Sequence, residues 1–328
     1  MEGDNFVLPG TDRVPSLFAA SCMFFAAVAG KPVMELADSL LLQALPGLDS
    51  GMPGSLFYSV RSIAYFVLFL LLPFTVYAKR KPGISEYIRV RPLSGKNTLL
   101  VSLMAAVGFM LSLYAGGLWC AGIEALGGRL TPSNSYAING AGSALAQLLA
   151  VVIMPAVCEE LLFRGSMLSA WEERGSFRAV LIVAVLFTML HASLKGLPAQ
   201  LISGIALGCA VVYTDSLFAG MLYHIIHNSL TLIMSRIASG GESSQTYFEA
   251  AGGTRGIILY ALYAVLFALC LVYLIKRLRA NNPAHAHGRR AIKGRDGSVH
   301  ENVVIGCGVI VALALCVRDL LAIMGVTG

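Results

Sequence analysis

Apolar residues in this chain fall in long unbroken blocks, not at the alternating spacing of strands or in the narrow stripe of a surface helix. "ALAQLLAVVIM" and "AVLIVAVLFTML" are typical runs. Nine such blocks reach or approach the roughly 20 residues needed to cross a bilayer as a helix: 14–30, 56–78, 98–121, 142–168, 179–194, 197–213, 216–235, 256–275 and 302–323. The pattern predicts an all-α, polytopic membrane helix bundle of eight or nine transmembrane helices, with residues 1–328 forming one membrane domain. The fifth and sixth blocks are short and joined by "SLKGLP", so either is expected to be tilted or re-entrant, and eight spans is the alternative count. Brief interfacial helices are expected within 79–97 and at "MELADSLLLQAL", 34–45. "SLFAASCMFFAAVAG" has the look of a signal-peptide core, but the acidic segment before it argues for a retained helix.

Composition agrees with this pattern. Of 328 residues, 57% are hydrophobic and only 13% charged, and the mean hydropathy is +0.74. Soluble domains carry about 25% charged residues. The net charge of +6 and pI near 9.0 would suit a nucleic-acid partner, but the positions of the charges point elsewhere. With the N-terminus inside, the cytoplasmic side holds Arg13, the cluster Lys79, Arg80, Lys81, Arg89, Arg91 and Lys96, then Arg174 and Arg178. It also holds the cluster Lys276, Arg277, Arg279, Arg289, Arg290, Lys293 and Arg295. Lys31, Arg129, Lys195, Arg236 and Arg255 lie on the outer loops. This is the positive-inside bias of a membrane protein. It implies an inside N-terminus, a lipid bilayer as surroundings and no nucleic acid; the compact chain without an extra soluble domain suits a multi-pass protein of a bacterial cytoplasmic membrane. The seven cysteines lack any CxxC spacing and read as packing residues.

Ionisable groups inside membrane spans are costly and mark function by default. Arg61 and Arg318 lie near block ends, where snorkelling to headgroups is the expectation; Glu124 lies near the outer interface and Asp215 starts a span. Glu159, Glu160, Arg164, His191, His224 and His227 remain, and they fall in three blocks. Glu160 and Arg164, four apart, share a helix face and can pair. Glu159, rotated by about 100°, is left as a candidate general base. In "FTMLH", Phe187 and His191 share a face; in "HIIHN", His224 and Asn228 do, and an imidazole with a carboxamide can donate together to an oxyanion. A buried ion-pair network that merely steadies the bundle would use the same residues. Helix rise puts His191 some ~10 Å from Glu159 along the membrane normal unless the helices tilt.

In order and approximate spacing, "EELLFR" (Glu159, Glu160, Arg164), "FTMLH" (Phe187, His191) and "HIIHN" (His224, Asn228) resemble the EExxxR, FxxxH and HxxxN motifs of the CAAX protease and bacteriocin-processing (CPBP, or Abi) family of intramembrane peptidases. The resemblance covers about 142–235, the motif-bearing core. It implies a helix bundle around a water-filled cavity open to the cytoplasm or the lipid. It implies an endopeptidase of metalloprotease-like description acting on CaaX-type or precursor peptides or membrane-protein tails. In that reading Glu159 and His191 polarise the attacking water, His224 and Asn228 stabilise the oxyanion, and Glu160, Arg164 and Phe187 support the site; His227 stands outside the motifs. No cofactor is favoured. The HExxH spacing of zincins is absent, and an amide suits hydrogen bonding better than zinc; if a divalent metal such as zinc is bound, Glu159, His191 and His224 are its candidate ligands. Two other classes use the same residues: a non-catalytic immunity or scaffold protein that captures a partner or peptide, and a proton-coupled transporter, which would call for inverted repeats and broken helices.

Overall fold

The computed structural model describes residues 17–44, 54–79, 84–130, 141–172, 175–238, 246–286 and 299–325. Among these there is no strand, as expected where hydrocarbon obliges the backbone to satisfy its own polar groups. Nine long helices follow the nine apolar blocks. α1 is Leu17–Ala44. α2 consists of Gly54–Phe66, a π-helical turn at Val67–Leu71 and Leu72–Lys79. α3 is Gly95–Ala125. α4 is built from Ala141–Gln147, a π turn at Leu148–Ile153, Met154–Glu160, a second π turn at Leu161–Met167, and Leu168–Glu172. α5 is Ser176–His191, α6 Leu197–Thr214, α7 Leu217–Ala238, α8 Gly253–Asn281 and α9 Val299–Ile323.

Eight of these are long and apolar enough to cross a membrane; α5, at 16 residues, is not. Its length is about 24 Å at helical rise, against a hydrocarbon core of about 30 Å. Gly175, at φ 117°, precedes it, and Ala192 ends it in the left-handed conformation. The predicted block 179–194 thus stops early, and residues 192–196 turn into α6, which starts with Pro198 in its first turn.

Three expectations are corrected. The segment 34–45 is not a separate interfacial helix: α1 runs through Pro32 to Ala44. Pro32 removes one backbone donor but leaves helical dihedrals available on both sides. Lys31 therefore sits within a span, not on an outer loop. Arg61 and Arg318 do more than snorkel: Arg61 pairs with Asp38 of α1 at 2.5 Å, and Arg318 forks onto Glu35 of α1 at 2.6 and 3.1 Å. The expected helix within 79–97 is the single turn Ile84–Tyr87. Residues 1–16 and the basic run 289–295 lie outside the described residues.

Hydrogen bonds define the two ends of the bundle. At one end Asn97, in the first turn of α3 and capped by Ser94, bonds Asn281 and Asn282 where α8 finishes, at 2.7 to 3.0 Å. The same end holds a buried cluster. Arg89, 1% exposed, donates to Asp215 at 2.9 Å and to Glu172, while Arg91 donates to Asp215 at 2.5 Å. The Arg89 carbonyl accepts from Leu217 N at 2.8 Å, which pins the start of α7. Burial by itself would lower the Arg89 pKa; Glu172 and Asp215 outweigh it and hold the guanidinium above its ordinary value. At the other end Trp119 Nε1 donates to the Leu194 carbonyl, Leu194 N to Asp319, and Arg129 N to the Ile323 carbonyl. All seven cysteines are free thiols.

α8 packs against α3 and shows Ile258, Leu259, Leu262, Val265, Leu266 and Leu269 outward. Such a face is stable in lipid and not in water. The chain is an integral, multi-pass membrane protein.

Candidate active site

The three motifs meet. α4 brings Glu159, Glu160 and Arg164, α5 brings Phe187 and His191, and α7 brings His224 and Asn228. Together with Lys31 of α1 and Tyr65 of α2, Glu159, Phe187, His191, His224 and Asn228 line one cavity of about 370 Å³. Its wall also carries apolar groups such as Phe66, Pro155, Leu190 and Leu207.

Glu160 is the pivot. It is fully buried, as is Arg164, whose Nη1 donates to Glu160 Oε1 at 2.8 Å across one helical turn. The other arm of Arg164, Nη2, donates to the Gly204 carbonyl of α6 at 3.2 Å. Two close approaches make room for this. A Cβ on Gly220 would lie 2.5 Å from Glu160 Oε2, and one on Gly204 would lie 3.0 Å from the backbone of Ala184. Glycine at these positions lets α7 reach the carboxylate and α6 reach α5. The guanidinium carbon of Arg164 also stands 4.5 Å from the centre of the Phe187 ring, within cation–π range.

His224 Nδ1 is 2.9 Å from the same Glu160 oxygen. That oxygen accepts from Arg164 as well, so the hydrogen of this bond belongs to Nδ1. Nε2 of His224 is thereby turned toward Glu159, with Glu159 Oε2 at 4.0 Å. His191 is fixed by the same logic. Its Nδ1 lies 2.9 Å from the Phe187 carbonyl, and a carbonyl can only accept. The lone pair of neutral His191 is therefore on Nε2. Phe187 stands between the imidazoles, with ring centroids 4.8 Å from His191 and 6.1 Å from His224. His191 and Glu159 line the same cavity.

Asn228 Nδ2 donates to the Val151 carbonyl at 3.0 Å. Four residues beyond Val151 stands Pro155, which has no N–H to offer. The side chain of α7 thus supplies a donor that α4 lacks, and this ties Asn228 to the π turn preceding the glutamates. Asn228 also lines the cavity. His227 is occupied differently: Ser203 Oγ lies 3.1 Å from its Nε2, and its ring stacks on Tyr223 at 12°. It lines the same cavity, held by these contacts.

Sequence reading missed Lys31 and Tyr65. Lys31 sits between Gly30 and Pro32, a local sequence that reads as a loop; Tyr65, whose hydroxyl donates to the Ala27 carbonyl at 2.6 Å, carries no signal in an apolar block. The π turns on both sides of Met154–Glu160 were also invisible; such insertions recur at functional sites. Among the described residues no group of three or more His, Cys, Asp or Glu side chains is disposed to hold a metal ion. Glu159, His191 and His224 share the cavity without forming a ligand set.

No curated protein and no solved structure matches the chain. Residues 141–230, which span all three motifs, match the model of the family described as Type II CAAX prenyl endopeptidase Rce1-like. The motif-bearing core of this chain is thus similar to that family of CAAX proteases.

Proposed function

We propose that the protein is a glutamate-dependent intramembrane endopeptidase that hydrolyses peptide or membrane-protein substrates in the cavity between α4, α5 and α7. One observation carries the reading: a carboxylate (Glu159), an imidazole with its lone pair on Nε2 (His191) and two further polar side chains (His224, Asn228) face one cavity. The similarity of residues 141–230 to a family of prenyl endopeptidases supports peptide hydrolysis.

In this mechanism Glu159 and His191 Nε2 accept the hydrogens of a water held between them and the scissile carbonyl. The water oxygen bonds to the carbonyl carbon, and the proton released passes to Glu159. Charge develops on the carbonyl oxygen. It is met by the remaining Nδ2 hydrogen of Asn228 and by Nε2–H of His224 in its doubly protonated form, the only form with a donor on that side. Collapse of the tetrahedral intermediate breaks the C–N bond, and the proton held by Glu159 goes to the departing amine. Glu160, fixed by Arg164, keeps the His224 ring in place throughout. None of these steps calls for a metal.

The deciding comparison is peptidomics of cells carrying the wild type and Glu159→Gln. An accumulating precursor in the variant, at equal protein level, is the expected result. Unchanged cleavage in Glu159→Gln sinks the proposal. A partner-capturing scaffold would keep its phenotype in that variant.

A further inference from the structure

Lys31 carries a charge into the bundle and finds no direct partner there. It stands near the middle of the span Leu17–Leu41, and the ten residues on to Leu41, about 15 Å of helix, exceed what a lysine side chain covers by snorkelling. Among the described residues its ammonium has no hydrogen-bond acceptor and no carboxylate within salt-bridge distance. An ammonium held away from water without a partner is costly, so the group calls for a ligand.

The charges around it are already committed. Glu35, one of the two carboxylates that act on Lys31, is forked by Arg318, and Arg61 pairs with Asp38. Glu160 is spent on Arg164 and His224. The stronger influence on Lys31 comes from Glu159, which lines the same cavity, and Lys31 is the sole lysine or arginine among the described residues of that lining. Glu159 cannot remain its counter-charge through the reaction, because the base becomes neutral on taking the proton released from water. An anion brought by the substrate resolves this: it pairs with Lys31 on binding and leaves Glu159 free to act as base.

We propose that Lys31 binds the C-terminal carboxylate of the substrate and so confines cleavage to peptide bonds a few residues from a free chain end. This deepens the proteolytic reading above and rests on it. A chain terminus is the carboxylate that fits the space. The cavity, at about 370 Å³, has the size of a small-ligand site, and it takes a short end of chain more readily than a strand that must continue past Lys31 in both directions. The departing fragment then lies against α1 and α2, where Ser62 and Tyr65 share the wall with Lys31. Its carboxylate accepts a charge-assisted hydrogen bond from the ammonium. Lys31 lies outside the residues 141–230 that match the family, so the specificity it confers is carried by a helix beyond the three motifs.

The purified native chain is assayed with one quenched-fluorescent peptide library prepared in three forms: C-terminal acids, C-terminal amides, and amides with an internal glutamate. Part of each set carries a prenylated cysteine, after the description of the matched family. Glu159-dependent initial rates at low peptide concentration are expected to be about tenfold or more higher for acids than for both amide forms. In Lys31→Met the ratio of acid to amide is expected to fall to about one; should that variant fail to fold, Lys31→Gln takes its place. Acids and amides cleaved alike by the native chain overturn the inference, and so does a variant that slows both equally, which would make Lys31 a partner of Glu159 only. Amides with an internal glutamate cleaved as fast as acids overturn the terminal assignment. A second measurement needs no cleavage: an apolar tripeptide acid is expected to raise the melting temperature of the native chain in detergent, and its amide to leave it unchanged. Equal shifts overturn the inference. Acid-selective stabilisation together with unchanged peptidomics in Glu159→Gln removes the peptidase reading and leaves the carboxylate site at Lys31 standing.

Discussion

His224 is oriented by Glu160, not by the neighbouring glutamate: its Nδ1 lies 2.9 Å from Glu160 Oε1, and its Nε2 lies 4.0 Å from Glu159. The two adjacent carboxylates thus do different work. Glu160→Gln weakens the anchor of His224 and leaves Arg164, fully buried, without its counter-charge. Breaking a buried pair in this way costs about 3–5 kcal/mol. The expected outcome is a lowered melting temperature in detergent together with a loss of activity. Glu159→Gln is expected to abolish activity with little change in melting temperature. Equal thermal behaviour of the two variants would contradict this division.

Gly220 is the point where α7 comes against that carboxylate. A methyl group there meets Glu160 Oε2 at 2.5 Å and Val211 Cγ2 at 3.0 Å, so Gly220→Ala pushes Glu160 or the helix carrying His224. A displacement of this kind near reacting groups can cost about a hundredfold. The rate constant is expected to fall by that order, while Gly116→Ala, in α3, where a Cβ meets nothing within 4 Å, leaves it unchanged. A steady-state comparison of the two variants is sufficient.

Asn228 is given two tasks, and one substitution tests them together. Its Nδ2 donates to the Val151 carbonyl beside the Pro155 gap, and its other hydrogen is assigned to the oxyanion. Asn228→Asp keeps the size but removes both donors. A loss of about 10²–10³ in kcat is expected, the usual cost of one oxyanion donor, with KM little changed. A rise in KM alone would assign Asn228 to substrate binding.

Much of the site was legible because each motif is written within one helix. Glu160 with Arg164, Phe187 with His191 and His224 with Asn228 are each four apart, and a helix of known period places each pair on one face. The apolar blocks gave nine helices for the same reason. What sequence did not reveal lies between helices. Which glutamate holds His224 depends on the angle at which α7 meets α4, and on Gly220 permitting the approach. Lys31 was misplaced because Gly30 and Pro32 imitate a loop, although a proline within a buried helix loses only one hydrogen bond. Arg89, one of the basic residues assigned to the cytoplasmic side, is buried because its partners Glu172 and Asp215 come from positions 83 and 126 residues away, and no local pattern signals such a pairing.

Arg89 itself makes a stability prediction. Its pKa is raised above the ordinary guanidinium value, so its contribution is complete below that unfolded value and is lost only as pH climbs through the still higher folded one. Within the working range the guanidinium therefore holds Glu172 and Asp215 at neutral and mildly alkaline pH alike. Arg89→Met leaves two carboxylates at the buried end of α4 and the α6–α7 turn, and a loss of about 3–5 kcal/mol is expected. Thermal unfolding in detergent checks this, and adding Asp215→Asn to Arg89→Met is expected to recover part of the loss. A double variant no better than the single would mean that packing, not charge, is what Arg89 supplies.

The last expectation concerns chelators. A catalytic zinc needs three protein ligands converging at about 2.0–2.2 Å with a fourth position open. Here Nδ1 of His191 is spent on the Phe187 carbonyl and Nδ1 of His224 on Glu160, which leaves one nitrogen on each ring. Such bonds are compatible with a metal on Nε2, so ring chemistry alone does not decide. The arrangement does argue one way: His224 Nε2 and Glu159 Oε2 are 4.0 Å apart, and the fourth polar group, Asn228, is a hydrogen-bond donor tied to Val151. Two ligands of a tetrahedral zinc at those bond lengths lie about 3.3–3.6 Å apart, and the cavity offers no three-ligand set among the described residues. Activity in purified protein is therefore expected to survive prolonged treatment with 1,10-phenanthroline and removal of the chelator. Loss of activity that returns on adding Zn²⁺, and fails to return in His191→Ala, would reassign Glu159, His191 and His224 as ligands and move the activation of water from the carboxylate to the metal.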